Sequence, residues 1–181
     1  MPLPKERIYT IDDIYALPEG VRAELIDGQI YNMAPPSRQH QRIITELATI
    51  INNHIKSNNG KCEVNVSPFA VFLNEDDAKY LEPDISVVCD KNKLDDKGCH
   101  GAPDWIIEVV SPSNSSYDYV LKLNKYMAAG VREYWIVNPI DKAITIYFFE
   151  GGKFAQHYIF RDKVKVNIYN NLEIDFSQLD I

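Results

Sequence analysis

Two carboxylates stand in stretches of sequence that are otherwise apolar. Asp84 follows Pro83 at the head of the run ISVV, and Glu108 lies inside WIIEVV with hydrophobic residues on both sides. Burying an unpaired carboxylate is costly or raises its pKa, so such groups usually pair with a cation, accept backbone hydrogen bonds or bind a metal. For each acid alone, a simpler interpretation exists: a turn after Pro83, or a salt bridge from Glu108 to a helix lysine. Together they suggest a joint role.

Oxygen ligands of this kind suit Mg²⁺ or Mn²⁺, which take one or two protein carboxylates and keep several waters. A helix predicted over residues 116–129 carries Asp118, Lys122 and Tyr126 at a spacing of four, which places them on one helical face. A lysine there could stabilise charge on a phosphate near the ion. On spacing alone, a surface ion pair between Asp118 and Lys122 is the simpler interpretation.

Helices and a hairpin are predicted in the N-terminal third of the chain. Thr10 followed by Asp13 resembles a capping box that opens a short helix. The Asp27-Gly28 pair supplies the positive φ angles of a two-residue hairpin turn. Ser37 is a plausible N-cap for a long helix that ends at residues 58–60, since its isoleucines and leucine recur every four residues.

The remaining sequence predicts a sheet. Strand-like runs cover residues 62–74, 81–90, 104–112, 132–139, 143–150 and 153–160. Residues 75–80 are predicted as a turn, and the charged segment 90–103 as a loop with at most a short helix. The order of elements predicts an α/β fold: a mixed β-sheet flanked by helices, with an N-terminal β-hairpin. No linker or repeat interrupts it, so residues 1–181 are expected to form a single domain.

Composition narrows the function classes. The chain has 181 residues, 45% of them hydrophobic, and a net charge of −7. This charge argues against non-specific coating of nucleic acid but leaves room for a local basic groove. No apolar run reaches the roughly 18 residues of a membrane span, and no signal peptide is visible, so we expect a cytoplasmic protein without membrane contact. The cysteines Cys62, Cys89 and Cys99 are odd in number and lack a CxxC pair, which predicts reduced thiols.

The ordered run of motifs resembles a known family. EPDISVV, then WIIEVVSPS, then the stretch from Asp118 to Pro139 is similar to the Uma-type family of restriction endonucleases, a branch of the PD-(D/E)XK nuclease superfamily. The segment RAELIDGQIYNMAPPSRQHQRI resembles the family's N-terminal signature, so the likeness covers roughly residues 9–150.

The resemblance implies a restriction endonuclease-like core with a divalent-metal site. Asp84 and Glu108 would bind the ion, with the backbone carbonyl of Val109 as an additional ligand. The superfamily's usual lysine, two residues after the second acid, is replaced here by Val110. Lys122 matches a version of the pattern in which the lysine lies on the next helix, from which its ammonium group could reach the same place.

Two further residues fall on the N-terminal motif of the family. Glu24 could be a third acid of the site or an exposed strand residue. His40, near a helix N-terminus, could contact phosphate or only cap neighbouring backbone.

The leading hypothesis is a magnesium- or manganese-dependent endonuclease that hydrolyses DNA phosphodiester bonds. Asp84 and Glu108 would hold the ion, Lys122 would stabilise the attacking water and the developing charge, and Asp118 and Tyr126 would fix the lysine. A homodimer is expected because cutting both strands commonly uses two sites and the strand at 143–150 is rich in aromatic residues.

Two alternatives stay open at this point. The acidic charge and the displaced lysine also fit a catalytically inactive nuclease-fold module that binds nucleic acid or another protein. In the other alternative the buried acids are structural, each paired with a core cation.

Overall fold

A mixed β-sheet with helices on both faces forms the centre of the molecule. The computed structural model describes the backbone of residues 7–73, 78–111, 116–152 and 155–181, and the side chains of all of these except residues 116–118. The helices are α1 (Ile11–Tyr15), α2 (Arg38–Ser57) and α3 (Ser116–Ala129). The first strands are β1 (Ala23–Ile26), β2 (Gln29–Asn32), β3 (Glu63–Val66), β4 (Val71–Phe72), β5 (Lys79–Tyr80), β6 (Ile85–Val88) and β7 (Leu94–Asp95). The later strands are β8 (Gly98–His100), β9 (Trp105–Val109), β10 (Glu133–Asn138), β11 (Ala143–Phe148), β12 (Ala155–Ile159), β13 (Lys163–Lys165) and β14 (Glu173–Asp175).

Within the described residues, the central sheet has six strands in the order β12-β11-β10-β9-β6-β3. β9 and β10 pair in parallel, whereas the other neighbouring strands of this sheet pair antiparallel. Along the chain, α3 lies between the two parallel strands, as a crossover connection requires. β9 is buried along its whole length, which explains its nearly continuous apolar run.

Each face of the central sheet is covered by one of the long helices. The isoleucines and the leucine of the α2 stripe are buried and pack against alternate residues of β9, Trp105, Ile107 and Val109. On the other face, Tyr126 of α3 packs in a cluster with Ile106. Because side chains alternate along a strand, Glu108 points to the same face as Ile106, towards α3.

The N-terminal predictions are confirmed. Asp13 accepts a hydrogen bond from the backbone of Thr10, which completes the capping box of α1. Asp27 and Gly28 both have positive φ, at 50° and 75°, and join β1 to β2 in a hairpin. The side chain of Ser37 accepts from His40 N, so it caps α2 as predicted.

Several segments differ from the predictions. The segment 90–103, expected as a loop with at most a short helix, does contain a short 3-10 helix at Lys91–Lys93, but it also contains β7 and β8, which form a small sheet with β4. The end of the expected turn at 75–80 is β5, which pairs with β1, while residues 74–77 lie outside the described part of the chain. The hairpin of β13 and β14 and the 3-10 helix Phe176–Gln178 were not predicted. These elements are short, and tertiary pairing rather than apolar periodicity defines them.

The prediction that the cysteines are reduced is wrong for two of them. Cys62 and Cys89 form a disulfide, and Cys99 is a buried free thiol whose pKa burial raises to about 11. In the antiparallel ladder Glu63 lies opposite Val88, so the cysteines occupy the next facing positions. Spacing along the chain carries no information on this register.

Stable disulfides are rare in reducing compartments, so the bond gives no support to a cytoplasmic location. No described helix is long and apolar enough to cross a membrane.

Candidate active site

Lys122 lies at the centre of a buried cluster of charges. Its Nζ atom is 2.8 Å from Oε2 of Glu24 and 3.0 Å from Oε1 of Glu108. The three residues are only 5–6% exposed. The salt bridge from Glu108 to a helix lysine therefore exists. Lys122 does not lie on the surface, so the interpretation of a surface ion pair with Asp118 is wrong; the Asp118 side chain itself is outside the described residues.

Three elements far apart in sequence meet at this lysine. Glu24 comes from β1, Glu108 from β9 and Lys122 from α3. Glu24 Oε1 also accepts a hydrogen bond from the backbone N–H of Glu82, at 3.1 Å. One turn after the lysine, Tyr126 donates its hydroxyl to Oε1 of Glu108 at 2.8 Å. The described hydrogen bond of the tyrosine thus orients the Glu108 carboxylate, whereas the sequence predicts that Tyr126 fixes the lysine.

Asp84 joins the cluster through the register of the central sheet. Ile85 on β6 lies opposite Ile107 on β9, so the next position of this antiparallel ladder brings Asp84 beside Glu108. Asp84 Oδ2 accepts the backbone N–H of Val109 at 2.8 Å. The two acids singled out in the sequence are therefore neighbours: Glu108 lies on β9, and Asp84 immediately precedes β6.

His40 contacts Asp84 from the first turn of α2. Its Nε2 atom is 3.2 Å from Oδ2 of Asp84, and the residue is buried. Burial alone lowers the pKa of His40, but the hydrogen bond and charge of Asp84 and the carbonyl of Val109 oppose it, and the pKa lies above its ordinary value. His40 is thus an oriented partner of Asp84 as well as a residue of the first helical turn.

Burial also governs the protonation of the other charged groups. It raises the pKa of Glu108 to about 7: Lys122 opposes this effect, whereas the negative charges of Asp84 and Glu24 reinforce it. Burial would lower the pKa of Lys122, yet Glu108 and Glu24 raise it above its ordinary value, so the ammonium stays charged. The pKa of Tyr126 is raised, chiefly by burial, and its hydroxyl remains a donor.

The cluster borders an open cleft of about 180 Å³. The residues that line the cleft include six with titratable side chains: Arg22, Glu24, His40, Asp84, Glu108 and Lys122. Ser67, Ser111, Gln41 and residues 31–36, which run from the end of β2 towards α2, complete this part of the lining. A substrate in the cleft would therefore meet the carboxylates directly.

The carboxylates suit a magnesium-type ion better than a closed protein cage. The described residues contain no group of three or more His, Cys, Asp or Glu side chains arranged to hold a metal. Lys122 contacts both carboxylate oxygens of Glu24, and the N–H of Glu82 also binds one of them. The contacts described for Glu108 fall on Oε1 and those for Asp84 on Oδ2, so these two acids are the better candidates for ion ligands. Two carboxylates, one backbone carbonyl and water form an oxygen set that Mg²⁺ accepts, so the residues fit such an ion.

The sequence interpretation missed two acids and an arginine. Glu82, two residues before Asp84, is bound by Arg22 at the edge of the cleft. Arg22 lies two residues before Glu24, and Glu82 lies two residues before Asp84. Because side chains two residues apart in extended chain point to the same side, this spacing could have indicated that Arg22 and Glu82 lie on the side of these acids. Glu133 is fully buried at the start of β10, between Arg132 and an apolar run.

Glu133 shows that a lone acid in an apolar strand can be purely structural. Its carboxylate accepts from Trp135 Nε1 and from the backbone N–H groups of Asn167 and Ile168, and so fastens the C-terminal segment to β10. The contacts, and not the sequence pattern, distinguish it from Glu108.

Comparison with known proteins places the chain in a family. The family model Uma2, described as "Putative restriction endonuclease", matches residues 11–181. The chain belongs to the Uma2 family. Membership of the Uma2 family supports a nuclease function and confirms the resemblance found in the motifs.

Two further matches agree with the Uma2 assignment. The chain is 31% identical over 125 residues to the uncharacterized protein slr1290 of Synechocystis sp.; the match covers 68% of this chain and 64% of that protein's length. A crystal structure described as a putative nuclease belonging to DUF820, from Anabaena variabilis, superimposes with a TM-score of 0.77 at 21% identity and covers 94% of this chain and 96% of that one. This second match confirms the predicted fold class, a mixed sheet flanked by helices.

Proposed function

We propose that this Uma2 protein is a divalent-metal-dependent endonuclease that hydrolyses DNA phosphodiester bonds. The observation that carries the proposal is that the register of β6 on β9 brings Asp84, just before β6, beside Glu108 on β9, next to a charged Lys122 at an open cleft. Hydrolysis of a phosphodiester needs positive charge at the phosphate and an activated water, and this arrangement can supply both.

Asp84, Glu108 and the backbone carbonyl of Val109 would hold Mg²⁺ or Mn²⁺. When bound, the ion would polarise the phosphate and lower the pKa of a coordinated water. The described hydrogen bonds to Glu108 fall on Oε1, which directs Oε2 to this task. His40 and the N–H of Val109 both bind Oδ2 of Asp84 and fix the orientation of its carboxylate.

Lys122 would supply the protein's own positive charge. Its ammonium is held by Glu24 from one side and by Glu108 from the other, so it is fixed near the acids without needing a position on the strand. In this place it stabilises the negative charge that develops on the phosphate oxygens. Tyr126 keeps Glu108 oriented. We propose that Asp118, on the same face of α3, helps to fix Lys122.

The proposal extends to the assembly. We propose a homodimer that brings two clefts to the two strands of DNA. The cytoplasmic location stays a prediction, and the Cys62–Cys89 disulfide does not favour it. The strand β11 that motivated the dimer lies between β10 and β12, so its backbone is not available at a sheet edge. Among the described strands, β3 and β12 are the outer strands of the central sheet, and one of these is the better candidate surface.

The test combines calorimetric titration with Mg²⁺ or Mn²⁺ and a supercoiled-plasmid nicking assay. Wild type should bind the ion and nick the plasmid, whereas Asp84→Asn and Glu108→Gln should lose both while keeping the circular-dichroism spectrum of the wild type. Glu150→Gln is the control, because this acid forms a surface pair with Arg132 and should behave as wild type.

The same assays distinguish the inactive module. A protein that binds nucleic acid without metal, and whose binding survives in Asp84→Asn, would be a non-catalytic member of the nuclease fold. Wild-type protein that neither binds the ion nor nicks DNA would overturn the proposal and leave the acids a structural role.

A further inference from the structure

Arg22 is held at the edge of the cleft by a buried carboxylate. Its Nε and Nη2 atoms donate to Oε2 of Glu82 at 2.9 and 2.5 Å, and Nη2 also donates to Oγ of Ser67 at 2.5 Å. The other oxygen of Glu82 accepts the hydroxyl of Tyr80 at 2.7 Å. The Glu82 side chain is only 8% exposed, whereas that of Arg22 is 33% exposed. Glu82 and Ser67 thus hold the guanidinium in place, while one third of the Arg22 side chain stays exposed.

The free side of this guanidinium faces the cleft. Arg22 is one of the lining residues, and none of the hydrogen bonds described for the chain uses its Nη1 atom. A guanidinium presents several N–H donors in a planar fork, which matches the oxygens of a phosphate. Because Glu82 already fixes its orientation, little side-chain entropy is lost when an anion binds.

The position of Arg22 relates it to the proposed catalytic groups. Arg22 lies two residues before Glu24. In extended chain this spacing places both side chains on the same side, with their backbone positions about 7 Å apart. Ser67, its second partner, donates its backbone N–H to the carbonyl of Asp84 at 3.1 Å. Arg22 therefore neighbours the proposed ion site without belonging to it.

We propose that Arg22 and Ser67 form a phosphate-binding subsite for the phosphodiester adjacent to the one that is cleaved. Arg22 contacts this phosphate and sets the position of the strand, so that the next phosphodiester lies at Asp84 and Glu108. The ligand is a phosphate of a nucleic-acid strand. This inference rests on the proposed nuclease function but concerns binding, which can be measured without cleavage.

The test measures binding of a fluorescently labelled DNA oligonucleotide by anisotropy, without added metal, over a range of salt concentrations. Arg22→Met should weaken binding about tenfold and reduce the salt dependence by about one phosphate contact. Arg22→Lys keeps a cation beside Glu82 and so maintains the fold. This variant should keep the salt dependence of binding but lose several-fold in affinity, because an ammonium group, unlike the planar guanidinium, cannot contact Glu82 and a phosphate at the same time in fork geometry.

Arg132→Met is the matched control. The Arg132 side chain is 37% exposed and is also bound to two carboxylates, Asp104 and Glu150, but it does not line the cleft. Its replacement should change neither the affinity nor the salt dependence. Competition with inorganic phosphate distinguishes a site for free anion from one for the strand: the strand should bind at least tenfold more tightly.

The outcomes separate this inference from the proposed function. Binding that weakens in Arg22→Met but not in Arg132→Met supports the subsite, even if the wild type nicks no plasmid. Equal affinity and equal salt dependence in wild type, Arg22→Met and Arg22→Lys would overturn the subsite, even if the wild type is an active nuclease. Absence of oligonucleotide binding by the folded wild type would overturn it as well.

Discussion

Replacing Glu108 by glutamine should remove a loss of stability that the wild type shows as the pH rises, and it should also abolish the activity. The charged carboxylate is unfavourable where it stands, since burial raises its pKa from 4.5 to about 7. A group whose pKa is higher in the folded state favours folding at pH values below its unfolded pKa, and this stabilisation is lost as the pH rises through the folded pKa. The wild type should therefore lose stability between acidic and alkaline pH, and Glu108→Gln should not show this loss.

The magnitude follows from the two pKa values. The full difference of about 2.5 units corresponds to about 3 kcal/mol, and about 2 kcal/mol of it falls between about pH 5.5 and pH 8.5. For a domain of this size, about 2 kcal/mol shifts the melting temperature by about 4 to 8 °C. Relative to Glu108→Gln, the wild type should lose this much over the interval. Lys122 remains charged throughout, because its pKa is raised.

The assay is urea unfolding of both proteins at several pH values in the presence of a chelator. The free energy of unfolding of the wild type should fall towards alkaline pH relative to that of the variant. Glu150→Gln, which changes an exposed acid, should follow the wild type. Parallel curves for wild type and Glu108→Gln would refute the reasoning, since they would show that the Glu108 carboxylate has the same pKa in the folded and unfolded states.

Three further predictions follow from particular contacts. Lys122→Met leaves two buried carboxylates without their cation and should cost about 3 to 5 kcal/mol in urea unfolding; a loss below about 1 kcal/mol would contradict the buried pairing. Asp84→Asn removes the negative charge beside His40, which is one of the contributions that oppose burial, so the pKa of His40 should fall below its wild-type value in an NMR titration. Gly98→Ala should cost about 2 kcal/mol or more, since Gly98 has a φ of 146° and an added Cβ would collide with the carbonyl of Ala70; a wild-type melting temperature would refute this close approach.

The sequence by itself determined the features that depend on neighbouring residues. The capping box of Thr10 and Asp13, the turn at Asp27-Gly28 and the apolar stripe of α2 each rest on groups within a few positions of one another. The two lone acids were also visible, because an ionised group is costly in an apolar run wherever the strand lies. The helical spacing also pointed to Lys122, and the family motifs added Glu24 and His40, which periodicity alone did not single out.

Only the tertiary structure decided what these residues contact. The register of β6 on β9 brings Asp84 beside Glu108, and Lys122 is paired with Glu24 from 98 positions earlier in the chain. The disulfide of Cys62 with Cys89 depends on another ladder in the same way. Strand register is set by the burial of whole faces and by hydrogen bonds between distant segments, neither of which is encoded in local spacing. For the same reason the sequence does not show which buried strand acid is structural and which is a candidate catalytic one; the partners of Glu133 and Glu108 make this distinction.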